Sequence, residues 1–143
     1  MSVKRTDNIP HLIENLSRII YIAASKGGFH LQRSLKVKIR DGDPSWTALA
    51  DSTIAAKGSS QAWVDTGELR GEITLNVIEG LPTVCHVGIF NHMKGTIATY
   101  LEYGTDVIPE RPLFRTVWLE EKDATTVIVR QSLREGLEKV LGM

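Results

Sequence analysis

The chain has 143 residues, of which 42% are hydrophobic and 24% are charged, the composition of an ordinary globular domain. This length predicts a single domain over residues 1–143 that buries roughly 70% of its unfolded surface. The 17 basic and 17 acidic side chains balance, whereas proteins that bind nucleic acid through its phosphates usually carry a basic excess. The single cysteine, Cys85, excludes an intrachain disulfide and a multi-cysteine zinc site.

Nothing in the sequence indicates membrane insertion or secretion. No apolar run approaches the roughly 20 residues that a bilayer-spanning helix needs. The polar amino terminus also lacks the apolar centre of a signal peptide. We therefore expect synthesis in the cytoplasm and no membrane partner.

An apolar stripe predicts the first helix over about residues 9–26. Its members recur at spacings of three and four, and they are Ile9, Leu12, Ile13, Leu16, Ile19, Ile20 and Ala23. Asp7 or Asn8 can cap the start of this helix. The pair Gly27 and Gly28 is predicted to end it.

Residues 29–40 allow two interpretations. Apolar Leu35, Val37 and Ile39 alternate with basic Lys36, Lys38 and Arg40, which favours a half-exposed strand with a basic face. The alternative is a continued helix through Phe29, Leu31 and Leu35.

The middle of the chain is predicted to hold a turn, a short helix and a flexible segment. Residues 41–44 have turn composition. Ser45 is expected to cap a short helix that carries Trp46, Leu49, Ala50 and Ile54. The glycine- and serine-rich segment that follows is the most flexible in composition, and it consists of Lys57, Gly58, Ser59, Ser60 and Gln61.

A β-hairpin is predicted from strands over about residues 71–78 and 83–90 around a turn at 79–82. Its alternating apolar residues Ile73, Leu75 and Val77 are expected to pair with Val84, with His86 or Val87, and with Ile89. Register is not determined by this pattern.

Helical spacing returns after the hairpin. A short helix is predicted over residues 96–103 with Ile97, Tyr100 and Leu101 as its apolar side, and residues 113–141 also have helical periodicity. The β-branched run at residues 125–129 disfavours one unbroken helix. Asp123 is a candidate cap for a second helix there.

Residues 100–115 are predicted to form a stiff corner between two helices. Gly104 suits the left-handed residue that closes a helix. Pro109 and Pro112 fix φ near −65°, and Pro112 can occupy the first turn of the next helix. Arg111 completes this structural corner, with Glu102 as its expected ion-pair partner.

The chain offers little catalytic or metal-binding chemistry. The histidines are scattered at positions 11, 30, 86 and 92, with no spacing that puts two on one helix face. Glu102 and Glu110 are more consistent with ion pairs to Arg111 or Arg115 than with an acid–base pair. We therefore expect no enzymatic activity, no cofactor and no metal.

The three tryptophans are the remaining candidates, because tryptophan is enriched at binding hot spots. Trp118 has a place on an amphipathic helix, which favours core packing. Trp63 follows the flexible segment, so we predict that Trp63 and residues 57–61 form an interface.

Three segments, in this order, resemble one family. Residues 44–49 read Pro-Ser-Trp-Thr-Ala-Leu, with Ser52, Thr53 and Lys57 beyond them, and residues 65–70 read Asp-Thr-Gly-Glu-Leu-Arg. Residues 100–105 read Tyr-Leu-Glu-Tyr-Gly-Thr, and residues 108–115 read Ile-Pro-Glu-Arg-Pro-Leu-Phe-Arg. Together they are similar to the small neck and tail-completion proteins of tailed bacteriophages and prophages. These include the virion-morphogenesis and minor-tail families related to the lambda tail-completion protein.

The resemblance implies an α+β fold, in which a small antiparallel β-sheet packs against an N-terminal helix and a long C-terminal helix. It implies a structural subunit of the virion neck, made in the host cytoplasm, that completes the tail and joins it to the head. Such subunits form rings, commonly of six copies, that bind other neck and tail proteins. Genomic DNA would pass through the lumen without sequence-specific binding.

Two alternatives stay open. A tail terminator that caps the tail tube has small α+β subunits of the same kind. A regulatory module that binds nucleic acid would use the basic face of Lys36, Lys38 and Arg40 instead. A closed ring also needs a heterologous interface, in which two different faces of the subunit meet.

Overall fold

The computed structural model describes residues 9–64 and 67–142, which form an α+β fold. In chain order the elements are α1 (Ile9–Asp41), α2 (Asp51–Lys57), α3 (Glu68–Gly71), β1 (Ile73–Ile78), β2 (Val84–Ile89), α4 (His92–Tyr103) and α5 (Phe114–Leu141). The predicted caps Asp7 and Asn8 lie outside the described residues, as do Asp65 and Thr66 of the second segment of the resemblance.

The first helix continues to Asp41, so the prediction that Gly27 and Gly28 end it is wrong, and so is the strand over residues 29–40. The two glycines are instead points of close approach. A Cβ on Gly27 would lie 2.7 Å from Val129 Cγ2 on α5, and one on Gly28 would overlap Cys85 Sγ on β2. The alternative of a continued helix is confirmed.

The hairpin is an antiparallel pair of six-residue strands. Ile73 lies opposite Ile89, Leu75 lies opposite Val87 and Val77 lies opposite Cys85, which gives the register that the sequence pattern left open. The inner face of this pair packs on α1, which explains why Gly28 must lack a side chain.

Two predicted helix boundaries are wrong. The short helix α2 begins at Asp51, so Ser45 does not cap it, and the Ser45 hydroxyl instead donates to Asp43 Oδ1 over 2.6 Å. The helix α4 begins at His92, four residues before the predicted start, because the Asn91 side chain accepts from its first turn.

The last helix is unbroken over 28 residues, so Asp123 caps nothing. Its β-branched run lies inside α5, where Val129 packs against Gly27 of α1. Tertiary packing therefore outweighs the weak helix propensity of residues 125–129.

The main hydrophobic core forms where the second half of α1, the sheet, α4 and the start of α5 meet. Its buried members are Leu35, Ile39, Trp63, Leu69, Ile73, Ala98, Leu113 and Val117. Away from this core, α1 and α5 run antiparallel as a helix pair, with Ile19 packed directly on Gly136. The sheet thus packs with the N-terminal helix and the start of the long C-terminal helix, as the resemblance implied.

Candidate functional site

Residues 100–115, hereafter the corner, connect α4 to α5 through a tightly bonded loop. Gly104 closes α4 with φ of 74° and ψ of 175°, so its φ is positive, as in the predicted left-handed residue, while its ψ is extended. A Cβ there would lie 2.9 Å from both Glu110 N and Ile108 O, so the loop folds back over this residue. Thr105 N donates to Ile108 O over 2.8 Å, and Arg111 N donates to Leu101 O over 2.7 Å.

The two prolines of the corner lie outside both helices. Pro109 is exposed, while Pro112 is half-buried and precedes Leu113, the residue that flanks α5. Since α5 begins at Phe114, Pro112 stands two residues before the helix. The prediction that Pro112 occupies the first turn of α5 is therefore wrong.

Glu102 is the central side chain of the corner. It is only 4% exposed, and its carboxylate accepts hydrogen bonds from three successive backbone N–H groups at the start of α5. The distances are 2.6 Å from Leu113 N, 2.9 Å from Phe114 N and 3.0 Å from Arg115 N. Because the residue that flanks α5 supplies no side-chain cap, a carboxylate from α4 satisfies these otherwise unpaired donors and the positive end of the helix dipole.

Arg111 is buried and binds backbone, not Glu102. Its Nε donates to Thr47 O over 2.7 Å, and its Nη2 donates to Ala48 O over 3.3 Å. The predicted Glu102–Arg111 ion pair is therefore wrong. Burial lowers the pKa of the Arg111 guanidinium, which nevertheless stays protonated. Arg111 fastens the corner to residues 47–48, in the loop before α2.

Arg115 is the cation that does pair with the corner carboxylates. Its Nη2 lies 3.1 Å from Glu110 Oε2, and its Nε lies 3.3 Å from Glu102 Oε1. The hydrogen bond to Glu110 is the largest cause that raises the pKa of Arg115. The same guanidinium lies 5.0 Å above the ring of Tyr103, within cation–π range.

Two tryptophans from the middle of the chain fasten the corner from the other side. Trp63 Nε1 donates to Arg111 O over 3.0 Å, and Trp46 Nε1 donates to Pro112 O over 3.0 Å. Trp63 is 1% exposed and packs edge-on against Phe114 at 6.1 Å. The prediction that Trp63 lies at an interface is therefore contradicted.

The core assignment of Trp118 is also wrong, because this side chain is 53% exposed on α5.

The segment 57–61 is held by its own hydrogen bonds. Lys57 Nζ donates to Gln61 O over 3.3 Å, and Gln61 N donates to Ser59 Oγ over 3.1 Å. Its role as an interface stays a prediction.

The proposed basic face does not form. On a helix, Lys38 lies about 200° from both Lys36 and Arg40, so the three side chains cannot share one side. Lys38 Nζ contacts Asp43 at 3.1 Å and Glu120 at 2.8 Å, while Arg40 Nε contacts Asp41 at 2.6 Å. The contact between Lys38 and Glu120 links the end of α1 to α5.

The histidines and the cysteine do not assemble into a reactive cluster. His30 Nε2 lies 2.7 Å from Glu121 Oε2 across α1 and α5. Cys85 faces Gly28, and burial raises the pKa of its thiol, the opposite of what activates a cysteine nucleophile. Within residues 9–64 and 67–142, no group of three potential metal ligands comes together.

An apolar surface that the sequence pattern did not assign lies on α4. The three residues Met93, Ile97 and Tyr100 follow the helical spacing i, i+4, i+7, and we call them the α4 outer face. Met93 is 77% exposed, and Ile97 and Tyr100 are each 49% exposed. The inner side of α4 is formed instead by Ala98 and Glu102, which are buried.

The helical spacing of the apolar residues in α4 was therefore visible in the sequence, but the sequence did not reveal which side of the helix faces the core. Ile97, Tyr100 and Leu101 were predicted to form the apolar side of this helix, and such a side usually faces the core. A buried carboxylate reverses the choice, because Glu102 must point inward to reach α5. Only the position of α5 reveals that requirement.

A second apolar surface lies between the far ends of α1 and α5, hereafter the α1–α5 groove. It encloses about 220 Å³ and has an apolar floor of Ile19, Ile22 and Val140. Arg18 and Lys139 line it without an ion-pair partner in the part of the chain that the structure describes, whereas Lys26 lies 3.9 Å from Glu135.

Comparison with known proteins identifies no relative: the chain matches no family model, no curated protein and no solved structure. Across the described residues, no helix has the length and apolarity needed to cross a bilayer.

Proposed function

We propose that this chain is a structural subunit of the head–tail neck of a tailed phage or prophage. In this proposal it completes the tail, joins it to the head and acts as one copy in a closed ring, commonly of six. The mechanism is shape and surface complementarity, without catalysis, cofactor or metal. Other neck and tail proteins would bind the ring, and genomic DNA would pass through its lumen.

The observation that carries the proposal is the distribution of apolar side chains. Among the described residues, ten hydrophobic residues are buried, whereas twenty large hydrophobic residues are exposed. Isolated exposed apolar residues are ordinary, but here they form contiguous surfaces on α4 and at the far end of the helix pair. Contiguous exposed apolar surface marks sites of protein association.

The corner supports the same function in a second way. Glu102, Arg111, Trp46 and Trp63 all direct their polar atoms to backbone groups that fix the angle between α4 and α5. A ring closes only if every subunit presents its two faces at the same angle. A rigid corner is the part that such a subunit requires.

The alternative of a nucleic-acid-binding module receives less support, because it rested on a strand face that is a helix in the structure. The tail-terminator alternative has no observation that favours it over tail completion. Both predict a small α+β subunit, so the assembled particle must distinguish them.

The test is the phenotype of particles assembled with Arg111→Ala, with Arg70→Ala as the matched control, since Arg70 is exposed on α3. We expect Arg111→Ala to lower the yield of joined particles at least tenfold and to leave separate heads and finished tails. Tails of irregular length would indicate the terminator role instead. Particle imaging should locate the chain at the neck, and normal joining in its complete absence would contradict the proposal.

A further inference from the structure

We draw no further inference here: the strongest candidate, the outer edge of β2 (Val84–Ile89), has no neighbouring strand among the described residues, and nothing in the structure shows which chain covers it.

Discussion

The two ends of the α1–α5 helix pair are held together by different kinds of contact. At the corner, buried polar groups are paired with backbone atoms, and Glu102 alone accepts three backbone N–H groups of α5. At the far end, contact depends on the absence of a side chain, because Gly136 lets Ile19 lie directly on α5. One end is fixed by directional hydrogen bonds, and the other mainly by close packing.

This contrast suggests that the corner positions the helices, whereas the far end offers a surface for binding. Directional bonds at the corner hold the angle between α4 and α5, and they leave few polar groups for a ligand. The far end retains exposed apolar and cationic side chains around a groove. Substitutions at the corner should therefore change stability, whereas substitutions on the outer surfaces should change association.

The largest effect is expected for Glu102→Ala. The change leaves three N–H groups at the start of α5 without their acceptor. Each buried donor left unsatisfied costs about 1–3 kcal/mol, so the free energy of unfolding should fall by about 3 kcal/mol or more in urea titration. Glu110→Ala is the matched control, since this exposed carboxylate should contribute less than about 1 kcal/mol. Equal losses from both variants would contradict the capping role of Glu102.

Gly136→Ala tests the far end. A Cβ at this position would lie 2.6 Å from Ile19 Cγ2, and overpacking of this kind costs about 1–3 kcal/mol. The free energy of unfolding should therefore fall, even though alanine is more favourable than glycine in a helix by about 1 kcal/mol.

A double-mutant cycle isolates that contact. An Ile19→Ala background removes the two closest contacts and leaves only the Cβ of residue 19, at 3.3 Å. Gly136→Ala should then raise the free energy of unfolding, because the helix-propensity gain is no longer outweighed by the clash. A change of the same sign in both backgrounds would show that the helices do not approach closely here.

These glycines also show where sequence reasoning ended. Local signals correctly predicted the antiparallel hairpin, and Gly104 at the end of α4. Gly27 and Gly28 were misinterpreted because a glycine that ends a helix and one that admits a neighbouring element look the same in sequence. Only the positions of α5 and β2 distinguish the two roles.

The corner was predictable as a segment but not as a set of contacts. Its prolines and Gly104 have local conformational preferences that sequence reveals. The partner of Arg111 is a backbone carbonyl more than sixty residues away, and no pattern of side-chain charges indicates it. Glu102 was likewise paired with the wrong arginine, because its true partners depend on the angle between two helices.

Acidification should lower the free energy of unfolding by an intermediate amount, through Asp43 in the loop that Arg111 binds. Hydrogen bonds from the Ser45 hydroxyl and N–H, with the Lys38 ammonium beside them, lower the pKa of Asp43 from 3.8 to about 2. Ionised Asp43 therefore stabilises the fold above about pH 4, and this contribution is lost as the pH falls from 4 towards 2.

Asp43→Asn should thus cost on the order of 1 kcal/mol near neutral pH, and its difference from the unaltered chain should shrink between pH 4 and pH 2. Urea titrations of both chains between pH 4 and pH 2 measure this difference in the free energy of unfolding. Ser45→Ala should reproduce part of the loss, since Ser45 supplies the leading hydrogen bonds. A difference that is constant with pH would contradict the assignment.

The smallest effect on stability is expected for Trp118→Ser. Tryptophan burial was assigned in reverse from the sequence, because the flexible composition beside Trp63 suggested exposure and helical spacing suggested burial of Trp118. Since Trp118 is 53% exposed, its substitution should change the free energy of unfolding by less than about 0.5 kcal/mol.

Trp63→Phe keeps an aromatic ring but leaves Arg111 O without its donor, so it should cost at least about 1 kcal/mol. Acrylamide should quench the fluorescence of Trp118 much more strongly than that of Trp63, and the reverse ranking would place the corner, not α5, at the surface.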